Sequence, residues 1–265
     1  MISKKKLNFI DLFCGAGGLS LPFKLRNHKL ILALDNDKTC ISTLKHNFKY
    51  DKTKFINENI KNFLNKKNYF RNINLDLLMG GPPCQGFSTA NRQNIINDPR
   101  NELYKYFIKF AQYSKPKFIL IENVIGIKLK ADDIRAKLNE IGYIADYRVL
   151  QASDFGIPQN RKRVFFFAIK KSEKEILLEN FFQTLEEYKK NTKKYFLKDA
   201  LYGLRVLKPK KFKNDRKNEY FESGFNIEEY NSKKTNSYLN LINSNKKIRY
   251  TFNHMARFNN KRDIE

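Results

Sequence analysis

Cysteine is scarce in this chain, acidic residues are outnumbered, and long apolar runs are missing. The three cysteines are Cys14, Cys40 and Cys84. They are odd in number and lack metal-ligand spacing, which argues against a disulfide framework and a metal site and points to a reducing, intracellular setting. No stretch approaches the ~20 apolar residues needed to span a bilayer, so no membrane partner is expected. The N-terminus is basic, but its apolar run is short and breaks at Asp11, which does not fit a signal peptide. Asp and Glu total 27 against 52 Lys and Arg, a formal net charge of +25. Such an excess favours polyanionic partners, because neutralising phosphates releases condensed counterions. Abundant Lys, Asn, Ile and Phe are also what AT-rich coding produces, so the charge supports a nucleic-acid partner without establishing one.

With 265 residues, 41% of them hydrophobic, the chain can build one sizeable core, or one domain with an appendage. Short apolar runs at Asn8–Leu12, Lys29–Leu34, Lys54–Ile56, Leu75–Met79, Phe118–Ile121, Ala145–Leu150 and Arg163–Ile169 read as strands. Segments of helical length lie between them, at Leu19–Arg26, Lys38–Phe48, Asn101–Tyr113 and Asp132–Ile141. This alternation predicts an α/β fold with a doubly wound, mostly parallel sheet. Ligands of such sheets sit at the carboxyl ends of the strands. After Lys170 the character changes. Residues 172–194 are charged and helix-like, and 209–245 are rich in Lys, Asn, Ser and Tyr with weak periodicity. We therefore expect an α/β domain over 1–170 and a polar extension over 171–265.

Phe9-Ile-Asp-Leu-Phe-Cys-Gly-Ala-Gly-Gly-Leu-Ser20 reads as a buried strand running into a glycine turn and a helix. Gly15, Gly17 and Gly18 allow a sharp turn and close approach of a ligand. Asp35 follows about 20 residues later, at the end of the next strand, where a carboxylate can accept from ribose hydroxyls. The pair suggests a nucleoside-containing cofactor. The glycine spacing differs from the dinucleotide pattern, so a pyrophosphate grip is not indicated.

Asp76-Leu-Leu-Met-Gly-Gly-Pro-Pro-Cys-Gln-Gly-Phe-Ser88 is the second loaded segment. Pro82 and Pro83 stiffen the chain, because each ring fixes φ. Cys84 then stands on a rigid mount, as nucleophilic catalysis requires of a thiol whose aim is set beforehand. The long polar stretch beyond it carries Ser88, Asn91, Arg92, Gln93 and Arg100, which suit closure over a polyanion. Cys14 and Cys40 read as small buried hydrophobes.

These two segments, together with Glu122-Asn123-Val124 and Gln159-Asn-Arg-Lys-Arg163, resemble the ordered motifs of the C5-cytosine DNA methyltransferases. The resemblance is firm from Asn8 to about Ala168 and thin beyond, where Asn253-His-Met-Ala-Arg-Phe258 looks like the approach to the family's target-recognition domain. It implies the Rossmann-like methyltransferase fold and S-adenosyl-L-methionine as cofactor. Phe13, Gly15 and Gly18 would line that cofactor, Asp35 would hold its ribose, and Asn36, Asn59, Ile60, Pro83 and Leu103 would surround its adenine end. Asn59-Ile60 departs from the family's usual Asp-Ile, and the Asn carbonyl is expected still to accept from the adenine amino group. Cys84 would be the nucleophile, Glu122 the partner of cytosine N3, Arg163 the donor to cytosine O2, and Arg161 a support for the active-site loop. Gln85, Ser88, Arg100, Asn123 and Gln159 would face the substrate. Alternation along the strand would put Gln159, Arg161 and Arg163 on one side.

The resemblance further implies double-stranded DNA as substrate, with the target base flipped out of the stack, and a prokaryotic restriction-modification setting. The later family motifs are not found in Lys171–Glu265. Three readings follow: one chain of a split enzyme completed by a second polypeptide, a truncated product, or an enzyme with an unusual recognition element. The first two are preferred. A transfer-RNA cytosine methyltransferase and a catalytically retired nucleic-acid-binding relative are the alternatives. Intact Cys84, Glu122 and Arg163 speak against the latter.

Overall fold

Seven strands alternate with helices: β1 (Asn8–Leu12), β2 (Lys29–Asp35), β3 (Lys54–Asn57), β4 (Leu77–Gly80), β5 (Phe118–Asn123), β6 (Tyr143–Gln151) and β7 (Lys162–Lys170). They form one sheet in the order β3-β2-β1-β4-β5-β7-β6. The first five strands pair in parallel. β7 runs antiparallel between β5 and β6. This is the expected doubly wound, mostly parallel sheet. The computed structural model describes residues 6–48, 52–66, 70, 73–83, 102–204, 227–229, 234–243 and 250–252.

The sheet is covered on both faces because its central strands are apolar at successive positions, as buried parallel strands are. In β1, Ile10 and Leu12 join Leu32, Leu34, Leu78, Ile119 and Ile121 in one core. Phe9, one position out of step, joins Leu30, Ala33, Leu77 and Met79 in another. The period of two along each strand thus sorts side chains between two layers. Helix α4 (Leu103–Ser114) closes the first layer with Tyr104, Phe107, Ile108 and Ala111, and α5 (Ala131–Glu140) adds Ile134 and Leu138. Helix α2 (Lys38–Asn47) closes the second with Ile41 and Leu44. Its start is fixed by Asp37, whose carboxylate accepts from Thr39 N and Cys40 N at 2.7 and 3.0 Å.

Element ends differ from expectation where side chains intervene. β4 begins at Leu77 rather than Leu75, because Asp76 turns its carboxylate to Asn8 N (3.0 Å) and Lys117 Nζ (2.9 Å) before the ladder to β1 starts. The first helix shrinks to α1 (Leu21–Leu25). β6 gains residues at both ends because its ladder with β7 runs unbroken from Tyr143 to Gln151.

The chain divides into two compact units, residues 1–154 with 160–192, and residues 155–159 with 193–265. In the first, helix α6 (Ile176–Asn191) lays Leu178 and Phe182 against Phe167 and Ile169, with the Phe167 and Phe181 rings stacked at 3.9 Å. In the second, α7 (Leu197–Ala200) and α8 (Ser237–Asn243) are tied by Asn236 Nδ2 donating to Asp199 O at 2.8 Å. A short antiparallel ladder there pairs β8 (Ile227–Glu229) with β9 (Tyr250–Phe252).

Candidate active site

Strand order reverses between β1 and β4, and both loaded segments leave the sheet there, at the carboxyl ends of adjacent strands. In open α/β sheets this crevice is where ligands bind. Gly80 lets the two strand ends come together, since a Cβ on it would lie 2.1 Å from the Leu12 carbonyl oxygen.

After β1 the backbone enters the left-handed region at Phe13 (φ 58°) and again at Gly15 (φ 52°) and Gly17 (φ 92°). Positive φ is costly for a bulky aromatic residue and persists where surrounding structure holds it, commonly at ligand sites. Two bonds tie the turn to β2. Cys14 N donates to Leu34 O at 3.2 Å, and Gly15 N donates to Asp35 Oδ2 at 2.8 Å. Asp35 also accepts from Asp37 N through Oδ1 at 2.9 Å. One carboxylate therefore joins the glycine turn to the end of β2, and each oxygen keeps a further lone pair.

Beside the turn lies a cavity of about 240 Å³ lined by Phe13, Leu34, Asn36, Glu58, Asn59, Ile60, Lys61, Pro83 and Leu103. Its lining is mostly apolar, with Asn36, Glu58, Asn59 and Lys61 as the polar members, a mixture that suits a purine nucleoside. Asn59 caps helix α3 (Ile60–Phe63), its Oδ1 accepting from Lys61 N at 2.9 Å. The carbonyl oxygen thus spends one lone pair on the cap and keeps a second, beside the two Nδ2 hydrogens. Gly18 has open space where a Cβ would stand. A larger groove, about 820 Å³, is lined by α5, β6 and α6 and takes nothing from the carboxyl ends of β1 to β5. Topology favours the smaller cavity as the site.

On the other side of the crevice, Glu122 near the end of β5 pairs with Arg163 near the start of β7, Oε1 to Nε at 3.1 Å. The antiparallel register, with Glu122 opposite Phe165, brings the two side chains together. Burial pushes the Glu122 carboxyl above its ordinary range, against the opposing pull of Arg163 and then Arg161. Glu122 also borders the proline segment, for a Cβ on Gly81 would lie 3.3 Å from Glu122 Oε2. Asn123 is buried, donates through Nδ2 to Pro82 O at 2.8 Å, and accepts from Val124 N at 2.9 Å. Both its polar atoms are thus engaged within the chain, anchoring the segment that leads to Cys84.

The remaining site residues are distributed unevenly. Cys84, Gln85, Ser88 and Arg100 lie outside the described residues. Arg161 precedes β7 and its carbonyl accepts from Ala152 N at 2.8 Å. Gln159 falls in a turn, its N–H on Ile157 O at 2.7 Å. The Ala152–Arg161 bond carries the β6–β7 register one residue back from Lys162, so strand alternation reaches Arg161 but not Gln159. Sequence reasoning also passed over Asp11. It is fully buried in β1, accepts from Ser20 Oγ at 2.5 Å, and has no partner at Oδ1 among the described residues. An Asp amid apolar strand residues was the available signal.

The sheet order and the crevice define a Rossmann-like fold of the methyltransferase type. The sequence profile of the C-5 cytosine-specific DNA methylases matches residues 7–263, and the chain belongs to that family. Among its relatives, the Type II methyltransferase M.DdeI of Desulfomicrobium norvegicum is 37% identical over 172 residues, covering 62% of this chain and 41% of the relative. M.FnuDI of Fusobacterium nucleatum is 34% identical over 204 residues, covering 75% and 56%. The chain spans about half the length of these curated relatives. A crystal structure described as a DNA modification methyltransferase encoded within an E. coli prophage superposes with a TM-score of 0.65 at 30% identity, covering 89% of this chain and 63% of that one. No helix among the described residues is long and apolar enough to cross a membrane.

Proposed function

We propose that this chain carries the catalytic machinery of a DNA (cytosine-5-)-methyltransferase of a prokaryotic restriction-modification system. The observation that carries the reading is the Glu122–Arg163 pair standing beside the anchored Gly81–Pro83 segment that delivers Cys84. Carbon 5 of cytosine is a poor nucleophile. The Cys84 thiolate forms a bond to carbon 6, and the ring electrons move toward carbon 5 and N3. Glu122, whose carboxyl burial shifts toward its protonated form, gives a proton to N3, while the Arg163 guanidinium neutralises charge at O2. The enamine carbon then attacks the methyl carbon, whose bond to the donor sulfur breaks, a base removes the carbon-5 hydrogen, the Cys84 thiolate leaves, and N3 returns its proton to Glu122 as the ring regains aromaticity.

Bound S-adenosyl-L-methionine supplies an electrophilic methyl on a sulfonium. Phe13, Asn36, Asn59, Ile60, Pro83 and Leu103 would enclose its adenine end, as lining of the cavity beside the glycine turn. Asp35 would hold the ribose through its free lone pairs, and Gly15 and Gly18 would allow close approach. Arg161 is assigned to supporting the active-site loop, and its charge also reaches Glu122. Carbon 6 of a stacked cytosine is unreachable, so the base is flipped out of the duplex. Gln85, Ser88, Arg100 and Gln159 are assigned to the nucleic acid.

The test is covalent trapping. The protein is incubated with S-adenosyl-L-methionine and DNA or transfer RNA bearing 5-fluorocytosine, with and without the product of the adjacent reading frame as a second polypeptide. A denaturing gel should show a DNA adduct that Cys84→Ser abolishes. An adduct on transfer RNA alone would move the substrate assignment, and no adduct in any arm would overturn the mechanism.

A further inference from the structure

One apolar wall of the cavity beside the glycine turn is Leu103, the first residue of α4. A first helical residue is weakly held by its own helix, because the leading N–H groups have no intrahelical partner. A capping side chain ordinarily compensates. Among the described residues α4 has no such aid: Glu102, its N-cap, makes no side-chain capping bond, and its carboxylate pairs with Lys105.

The next residue supplies a different hold. Tyr104 is 2% exposed and belongs to the same core as Ile134 and Leu138 of α5. Its hydroxyl donates to Asp133 Oδ2 at 2.5 Å. Lys137 Nζ, one turn further along α5, donates to Asp133 Oδ1 at 2.5 Å. Against the pull of burial, the bonds from Lys137 and Tyr104 hold the Asp133 carboxyl below its ordinary range, so it stays an ionised acceptor. Hydrogen bonds to an ionised acceptor are among the stronger ones. Buried ring and bond together pin the first turn of α4 to α5, and Leu103 with it.

We infer that Tyr104 and Asp133 are positioning residues for the cofactor: neither lines the cavity, yet their bond keeps the Leu103 wall in place. The inference rests on the cofactor assignment above. Without the bond the wall stands in only a fraction of molecules, and the apparent affinity falls by that fraction.

The probe is S-adenosyl-L-homocysteine, its affinity measured by titration calorimetry on the full chain. Tyr104→Phe keeps the ring in the core and deletes the hydroxyl. It should weaken binding by about three- to tenfold, up to the worth of one buried apolar contact. Asp133→Ala should do the same, and the double variant should lose no more than either single one, since all three lack one shared bond. Asp133→Asn keeps an oxygen for the hydroxyl and should stay within about twofold of wild type. Leu178→Ala, in the separate core cluster under α6, should lower stability yet bind as wild type does. Unchanged affinity in Tyr104→Phe, losses that add in the double variant, or an equal loss in Leu178→Ala would overturn the inference and leave the cofactor assignment standing. A wild type that does not bind would overturn both.

Discussion

Asn123 Nδ2 donates to the carbonyl of Pro82 at 2.8 Å, joining the end of β5 to the segment that presents Cys84. The bond is buried and acts at one remove from the chemistry. Asn123→Ala leaves the Pro82 carbonyl without its partner, at a cost of about 1–3 kcal/mol. It also frees the approach of the thiol, and a misplacement near 1 Å costs up to about a hundredfold in rate. We predict a kcat reduced by about 10- to 100-fold with the KM for S-adenosyl-L-methionine nearly unchanged. A parallel loss in KM would mean the whole crevice had collapsed.

In the proposed mechanism Glu122 carries a proton when cytosine enters, and burial shifts its carboxyl in that direction. Burial raises its pKa, and Arg163 and Arg161 oppose the rise. Activity should therefore fall on the alkaline side as the carboxyl ionises. Arg161→Gln removes one opposing charge, so the carboxyl holds its proton to higher pH and the alkaline limb of the kcat profile should move upward. A downward shift would show that Arg161 acts through the loop and not through the field at Glu122. Glu122→Gln should lower kcat by about 100-fold or more, within the range for loss of a general acid.

The sheet was legible in the sequence because its strands are apolar runs spaced by helical segments, and β1 is identical in extent to the run read there. The site was legible in part. Gly15 and Asp35 were paired by spacing, and the structure joins them directly at 2.8 Å. What the sequence could not disclose was how side chains are already engaged. Nothing in Glu58-Asn59-Ile60 announces that the Asn59 carbonyl caps a one-turn helix, and nothing in Glu122-Asn123 says that Asn123 faces inward to Pro82. Those facts depend on neighbours distant in sequence or on a turn too short to show periodicity. The antiparallel β7 was likewise invisible, since strand direction is a property of the connection.

Neighbouring glycines in the turn should respond differently. Gly17 has φ 92°, and a Cβ there would lie 2.2 Å from Leu44 Cδ1 in the core. Gly17→Ala should destabilise the fold by roughly 2–3 kcal/mol, combining backbone strain with overpacking. Gly18 has open space and no positive φ. Gly18→Ala should leave stability within about 0.5 kcal/mol, the range of substitutions that break no special feature. Its effect should appear instead as weakened S-adenosyl-L-homocysteine binding, if ligand occupies that space. Urea unfolding and calorimetry on the two variants separate a folding glycine from a binding one.

Asp11 supplies a test of stability against pH. It is fully buried, and the absence of water pushes its carboxyl up to about 7, with Ser20 opposing and Asp35 adding to the rise. The folded state thus binds a proton that the unfolded chain releases near its ordinary value of 3.8. Stability from this group is fully present below that value, and is lost as pH climbs toward about 7. Asp11→Asn keeps the shape and the acceptor for Ser20 Oγ but cannot ionise. Its stability relative to wild type should therefore improve between pH 5 and pH 8 by about 1 kcal/mol or more, from the linkage of a raised carboxyl. Equilibrium unfolding at the two pH values measures the difference directly. A difference that stays constant with pH would mean Asp11 finds a compensating partner for its charge, with the unpartnered Oδ1 as the place to look for it.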